Sequence, residues 1–269
     1  MPFSWSYKSL AIDADMAAGT PLEYFHESTK LYPRSSPPSE SARLAPNDLF
    51  LMSRGFRQYS HAYQVDLPDP IPKEQPFRDV LLTRRSRRAL SGAISLGELS
   101  TLLQVALGPT AILNDAELGI THVLRGHPSA GGLNSLDVYV ICANVEGIRR
   151  GLYHFNAVRS QLELINQTDP VDLLQRAFFG QEFSSRAAAC VLLVGVLDRL
   201  AEKYGEERSY RLALLDAGHA CQNLLLAAEH LALNAVAIQG FCDDILAASV
   251  GVDSVREIVL HTMLTGKAT

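Results

Sequence analysis

Four arginines and a serine fall within six residues, Thr83-Arg84-Arg85-Ser86-Arg87-Arg88, of a 269-residue chain whose formal net charge is −5. Guanidinium forks match phosphate oxygens, so this stretch can cradle an anion; it equally suits a solvated basic turn. A second stretch, His127-Pro128-Ser129-Ala130-Gly131-Gly132, is a rigid bend followed by residues with almost no side chain. Such a segment lets a flat ligand lie on the backbone, whose N–H and C=O groups can read the rim of a heterocycle, although a plain loop has the same composition. The third is Lys203-Tyr204, placed just before Gly205 and close to Arg208 and Arg211. Neighbouring cations favour a phenolate, which is how a tyrosine with an ordinary pKa of about 10 comes to act as a base at neutral pH. The same segment also reads as a solvated helix, because Lys203/Glu207 and Glu207/Arg211 are opposite charges at i,i+4.

Other chemistries lack their motifs. There is no G-x-G-x-x-G for a dinucleotide. Gly266-Lys267 resembles the end of a phosphate loop, but His261 stands where the first glycine belongs and Ala268 replaces the metal-binding hydroxyl. Ser129 fails the G-x-S-x-G frame of a hydrolase elbow, since His127 precedes it by two. The eight histidines include no H-E-x-x-H pair, so no metal site is expected. An acidic balance argues against nucleic acid as a partner, because such binding is driven by positive charge. Cys142, Cys190, Cys221 and Cys242 lie far apart and suit buried thiols of a reducing compartment. No stretch approaches the roughly 18 apolar residues of a membrane span, and a cytoplasmic location is expected.

The elements that must position these residues are legible in part. Residues 1–76 carry proline runs such as Pro33-Arg34-Ser35-Ser36-Pro37-Pro38 and Pro68-Asp69-Pro70-Ile71-Pro72, which predict an irregular N-terminal arm packed on a compact domain of residues 77–269. Ser95 and Glu98 form a capping box ahead of Leu99, Leu102, Leu103 and Ala106, a helix that Gly108-Pro109 ends. Segments 136–142, 151–155, 161–165 and 257–264 are rich in β-branched and aromatic residues and predict strands. Segment 188–196 is apolar on both faces, as a strand is in the middle of a covered sheet. Residues 211–233 are apolar around nearly their whole circumference and predict a buried helix, narrow at Ala217, Gly218, Ala220 and Cys221, where a sheet or the same helix of a second subunit can approach.

The three chemical stretches, in this order, make the chain resemble the nitroreductase-like flavoproteins, and in particular the SagB-type azoline dehydrogenases that work beside cyclodehydratases in peptide natural-product pathways. The similarity runs from about Tyr24-Phe25-His26-Glu27-Ser28-Thr29-Lys30 to Gly266-Lys267 and takes in Gly151-Leu152-Tyr153-His154-Phe155 and Asp216-Ala217-Gly218-His219-Ala220-Cys221-Gln222-Asn223. The resemblance implies an α+β fold, a central and mainly antiparallel sheet between helices, in a homodimer with FMN at the subunit interface. By the same resemblance Arg84, Arg85, Ser86 and Arg88 grip the FMN phosphate, and Pro128, Ser129, Ala130 and Gly131 line the isoalloxazine ring. Gln239 and Gly240 approach the flavin near N5, Lys267 adds a cation at the phosphate or ribityl chain, and Gln181 bonds the pyrimidine edge. Lys203 and Tyr204 match the pair taken to act in proton removal. The chain departs from the pattern at Leu133-Asn134-Ser135-Leu136, where relatives usually carry Tyr-Pro after the small residues.

The activity that this resemblance implies is an FMN-dependent oxidation of thiazoline or oxazoline rings in a peptide or carrier-bound intermediate, with a cyclodehydratase complex as partner. Two competing expectations are a general NAD(P)H-dependent nitroreductase or quinone reductase, and a flavin-free peptide-binding scaffold.

Overall fold

The computed structural model describes residues 21–30, 56–115 and 120–268, with residues 115, 120 and 121 described in their backbone alone. The proline run 33–38 lies outside the described residues. The strands are β1 (Gln64–Asp66), β2 (Ile94–Ser95), β3 (Pro109–Asp115), β4 (Ile120–Arg125), β5 (Leu136–Cys142), β6 (Val145–Glu146), β7 (Gly151–Asn156), β8 (Gln161–Asn166), β9 (Ala189–Val196), β10 (Asn234–Ile238) and β11 (Glu257–Gly266). The helices are α1 (Pro21–Ser28), α2 (Phe77–Thr83), α3 (Leu96–Leu107), α4 (Pro170–Ala177), α5 (Glu182–Ser185), α6 (Asp198–Tyr204), α7 (Glu206–His230) and α8 (Asp243–Val250). A seven-stranded sheet in the order β1-β8-β7-β5-β9-β11-β10 has antiparallel pairing throughout. The α+β fold with a large antiparallel sheet between helices is therefore present.

The sheet is organised by β9, the segment apolar on both faces, and all eight of its residues are buried. Alternation sends Val191 and Leu193 into a core shared with Leu99 and Leu103 of α3 and Ala220 and Leu224 of α7. Cys190, Leu192 and Val194 enter a second core on the other face, with Leu173 and Leu174 of α4 and Leu246 and Val250 of α8. Fully burying a valine or leucine side chain is worth about 1.5–3 kcal/mol, so a strand this apolar is favourable only when both faces are covered. Gly195 marks the close approach of α7: a Cβ there would stand 2.4 Å from Leu260 Cδ1 and 3.4 Å from Ala213 Cβ.

Two sequence expectations change in detail. The predicted helix over 211–233 starts earlier, at Glu206, and its outward face is open in the single chain: Leu214 and Leu215 are exposed, and nothing lies within 4 Å of a Cβ built on Gly218. Ala217, Ala220 and Cys221 are the small residues turned to the sheet. The N-terminal arm, in its described part, is less irregular than its prolines suggest. It holds α1, and β1 extends the sheet at the edge of β8. The proline run 68–72 packs along α3, where the Gln104 amide donates to the Pro68 carbonyl at 2.8 Å and the Ile71 N–H donates to Thr101 Oγ1 at 2.8 Å.

The predicted capping box of α3 is formed. Ser95 Oγ accepts from the Glu98 N–H at 3.1 Å, and Glu98 Oε2 accepts from the Ser95 N–H at 2.8 Å. The other oxygen of Glu98 pairs with Lys267 Nζ at 2.8 Å, so one carboxylate caps the helix and ties down the end of β11. Ser95→Ala is expected to lower stability by about 1 kcal/mol. A lower urea midpoint at unchanged slope would report it; an unchanged midpoint would show that the Lys267 pair alone fixes this corner.

Candidate active site

The loop entering β5 is held by one buried carboxylate. Asp216 of α7, only 2% exposed, accepts from Ser129 Oγ at 2.8 Å and Ser135 Oγ at 2.7 Å through Oδ2, and from the Ala130 N–H at 3.0 Å through Oδ1. Burial pushes the Asp216 carboxyl up, while the hydrogen bonds from Ser135, Ser129 and Ala130 pull the other way. Ser129 Oγ in turn accepts from the Asn134 N–H at 3.0 Å. The Ala130 amide is thereby committed inward. What the loop presents outward is Pro128 and Gly131, both exposed, with Ser129 and Ala130 half-buried between them.

Lys203 and Tyr204 form the last turn of α6, which Gly205 ends with φ 81°. Tyr204 packs on the core with its hydroxyl at the loop: a Cβ on Gly131, where φ is +60°, would lie 2.5 Å from Tyr204 Oη and 3.5 Å from Lys203 Nζ. Glycine is thus required at 131 for its backbone and for the space taken by the tyrosine. Lys203 Nζ stands 5.8 Å from the Tyr204 ring centroid. The cations expected around Tyr204 divide. Arg208 donates to the Thr29 carbonyl at 2.9 Å, and Arg211 lies 3.3 Å from His26 Nδ1 and 5.8 Å from the Phe25 ring centroid, so both serve to dock α1 on α7. Arg199 of α6, which no sequence motif singles out, donates to the Asn134 carbonyl at 3.1 Å and to Asp137 Oδ1 at 2.7 Å, fastening the far end of the loop to the helix that carries Lys203 and Tyr204.

The remaining predicted residues gather elsewhere. Ser86 and Arg88 are exposed and Arg84 is half-buried, while Arg85 folds back to donate to the carbonyls of Leu82 and Arg84 at 2.9 and 2.8 Å. Arg87 pairs with Glu229 near the end of α7, and its N–H donates to the Ala235 carbonyl at 2.9 Å. Lys267 is next to this segment through its backbone pairing with Gly92, though its ammonium is engaged by Glu98. Arg88 lies over the Phe183 ring at 5.5 Å, at the wall of a cavity of about 270 Å³ that Arg186 and Ser91 also line. Gln181, exposed at the start of α5, is on this side; Gln239 and Gly240 are exposed in the turn after β10, which the Cys242 N–H ties to the Ala177 carbonyl of α4 at 2.8 Å.

The structure therefore makes two clusters from most of the predicted residues, with Gln239 and Gly240 set apart at the far end of β10. Asp216 anchors one and Glu229 touches the other, and along α7 these lie roughly 20 Å apart at 1.5 Å per residue. The strand ladder agrees, for Leu136 at the loop pairs with Gly195 at one end of β9, whereas Thr265, beside the Lys267 end, pairs with Ala189 at the other.

The model of the family described as "Nitroreductase family" matches residues 81–267, which take in both clusters. The chain belongs to the nitroreductase family. A Methanocaldococcus jannaschii protein described as a nitroreductase is 31% identical over 182 residues, 67% of this chain and 86% of its own length. The trifolitoxin-processing protein TfxB of Rhizobium leguminosarum bv. trifolii is 29% identical over 149 residues, 54% of this chain and 40% of that protein. Among solved structures, a nitroreductase of Anabaena variabilis shares the fold with a TM-score of 0.71 at 24% identity, over 92% of this chain and 47% of its own. The chain thus spans less than half of TfxB and of the Anabaena protein. The fold also matches the E. coli microcin synthetase McbBCD complex with truncated pro-MccB17 bound (TM-score 0.57, 17% identity, 95% of this chain and 86% of that chain) and an Exiguobacterium sibiricum nitroreductase in complex with FMN (0.51, 16%, 74% and 90%).

His127, ahead of the loop, is buried, and burial together with the nearby Arg125 charge pushes its imidazole down to about 4 from an ordinary 6.5. The folded chain then leaves it neutral over a range in which the unfolded chain takes up a proton, so this contribution to stability is lost as pH falls from about 6.5 to about 4. His154, also held low by burial, acts in the same direction. His127→Asn is expected to flatten the loss of melting temperature across that window. An acid limb as steep as that of the unsubstituted protein would mean that His127 does not titrate this way.

Proposed function

We propose that this chain is an FMN-dependent oxidoreductase of the SagB-type branch, oxidising azoline rings of a peptide or carrier-bound intermediate to azoles. The observation that carries this is the seating of Tyr204 Oη and Lys203 against Gly131 of the small-residue loop. Aromatising a thiazoline or oxazoline removes one carbon-bound proton and one hydride. FMN, when bound, supplies the hydride acceptor. The chain must supply the proton acceptor, and the Tyr204 hydroxyl is placed for that at the loop on which a flat ring can rest, with the Lys203 ammonium beside it.

The side chains fit FMN. Gly131 projects no side chain of its own beside the Tyr204 hydroxyl, and Arg84, Ser86 and Arg88 offer phosphate donors. Arg85 and Lys267 contribute less to that grip, since the first donates to its own turn and the second is neutralised by Glu98. Gln181, beside the Arg88 cavity, and Gln239 and Gly240, past the far end of β10, are exposed and would contact the remaining edges.

The assembly is a homodimer with FMN between subunits. Support comes from the two clusters, whose anchoring residues Asp216 and Glu229 lie roughly 20 Å apart along α7, an arrangement that suits one copy gripping the phosphate while the other presents loop, Lys203 and Tyr204. The open face of α7 at Leu214, Leu215 and Gly218 offers the contact. Similarity to a toxin-processing protein, and a fold shared with a complex that has pro-MccB17 bound, favour a peptide substrate and a cyclodehydratase partner.

A yellow protein that releases FMN on heating, at about one per subunit as one phosphate cluster per chain requires, is the expected finding. A protein that stays colourless after incubation with FMN would leave a peptide-binding scaffold. Tyr204→Phe and Lys203→Ala are each expected to keep FMN and to lower oxidation of a thiazoline peptide by about 10²- to 10⁴-fold, the usual worth of a positioned base. Undiminished turnover in both, or brisk NAD(P)H oxidation with a quinone and none with the azoline, would move the chain to the general reductases.

A further inference from the structure

Asp216 is the one carboxylate among the buried residues of α7, which are otherwise Ser209, Cys221, Leu224 and alanines. Packing alone would be served by alanine or leucine, since a buried carboxylate costs free energy unless its oxygens are met. Here both oxygens are met, and every donor comes from the loop entering β5: two hydroxyls on Oδ2 and one amide on Oδ1. The contacts continue in a closed circuit. Ser129 Oγ receives the Asn134 N–H, and the Asn134 carbonyl receives Arg199 of α6. Helix α6 ends in Tyr204, whose hydroxyl meets Gly131, one residue beyond the amide that Asp216 holds.

We infer that Asp216 is a positioning residue, whose single carboxylate sets Ser129, Ala130 and Ser135 so that Gly131 seats against Tyr204, keeping the ring-bearing surface and the proton acceptor in one register. This rests on the proposed role of the loop and of Tyr204. Asp216 touches neither reacting group and acts through the loop.

The test compares the unsubstituted protein with Asp216→Ala, Asp216→Asn and Ser135→Ala, reading amide hydrogen exchange of 128–135, FMN dissociation constant by fluorescence titration, and melting temperature. Asp216→Ala strands three donors and is expected to speed exchange in 128–135 and weaken FMN binding by about tenfold or more, with β9 and β11 still protected. Asp216→Asn fills the same space, accepts the Ala130 amide and donates to both serine oxygens, so FMN affinity is expected within about threefold of the unsubstituted protein. Ser135→Ala, which removes one donor without emptying the site, is expected to give a smaller effect of the same kind, and it stands in should Asp216→Ala not fold. A lower melting temperature with unchanged exchange in 128–135, or with unchanged FMN affinity, makes Asp216 merely structural and overturns the inference. Should the unsubstituted protein take up no FMN, the cofactor proposal fails separately. Exchange then decides for Asp216: quickening confined to 128–135 supports it, and no change overturns it.

Discussion

Burial of β9 on both faces is the constraint on which the rest of the structure depends. A strand reading Ala-Cys-Val-Leu-Leu-Val-Gly-Val has no side to show to water, so the chain must build a helical layer on each side of it. The layers differ in kind. On one face α7 runs close against the sheet, an approach that Gly195, Ala213, Ala217 and Ala220 permit because none of them projects beyond a methyl group. On the other face Tyr139, Phe178 and Phe241 pack with α4 and α8. The close layer is the one that carries the candidate chemistry, because a helix pressed against the sheet brings its polar residues within reach of the loops at strand ends.

That closeness makes the polar interactions selective. Where α7 meets the entry to β5, the one acidic side chain on its inward face finds three donors, and two arginines farther along the same sheet end, Arg57 and Arg199, meet on Asp137. Buried charges of this kind add little net stability, because desolvation opposes the attraction, but each tolerates few geometries. They fix where the loop goes rather than how stable the protein is. A similar arrangement beside it holds the N-terminal segment, where Glu163 accepts from Asn156 Nδ2 at 2.9 Å and the Tyr59 N–H at 3.0 Å and contacts His154 Nδ1 at 2.8 Å.

Much of this was legible in residue patterns, for reasons that can be named. The strands at 136–142 and 189–196 and the capped helix from Leu96 declare themselves through period and capping chemistry, which are local. The Lys203-Tyr204 and Pro128–Gly131 stretches stood out by composition, and the structure brings them together. Asp216 enters the sequence reading only as the first residue of a family-like stretch and Arg199 not at all, because their importance lies in partners 81 to 87 and 65 positions away in sequence. Arg208 and Arg211 misled for the same reason: proximity in sequence to Tyr204 suggested an electrostatic role, whereas on the helix they turn to α1. The prolines of the arm suppressed the signal of β1, a three-residue strand whose pairing depends on an exposed edge of β8 rather than on its own propensity.

The placement of Tyr204 at the last turn of α6 suits the needs of a proton acceptor beside a ring. It must be rigid, yet it cannot bring a wall of side chain between itself and the ligand. Ending the helix at Gly205 stops the backbone immediately after the tyrosine, and leaving position 131 without a Cβ lets the hydroxyl reach the loop surface. Any larger residue at 131 would displace the hydroxyl and strain a backbone held at φ +60°. On the proposed reading the same glycine serves the ring-bearing surface and the reach of the base, which would couple two stretches far apart in sequence. Arg84, Ser86 and Arg88 stand at the distant cluster, so the charge that would attract a phosphate and the cation beside the phenol act at separate places. In the proposed homodimer a second copy, docked on the open face of α7, would bring both to bear on one ligand.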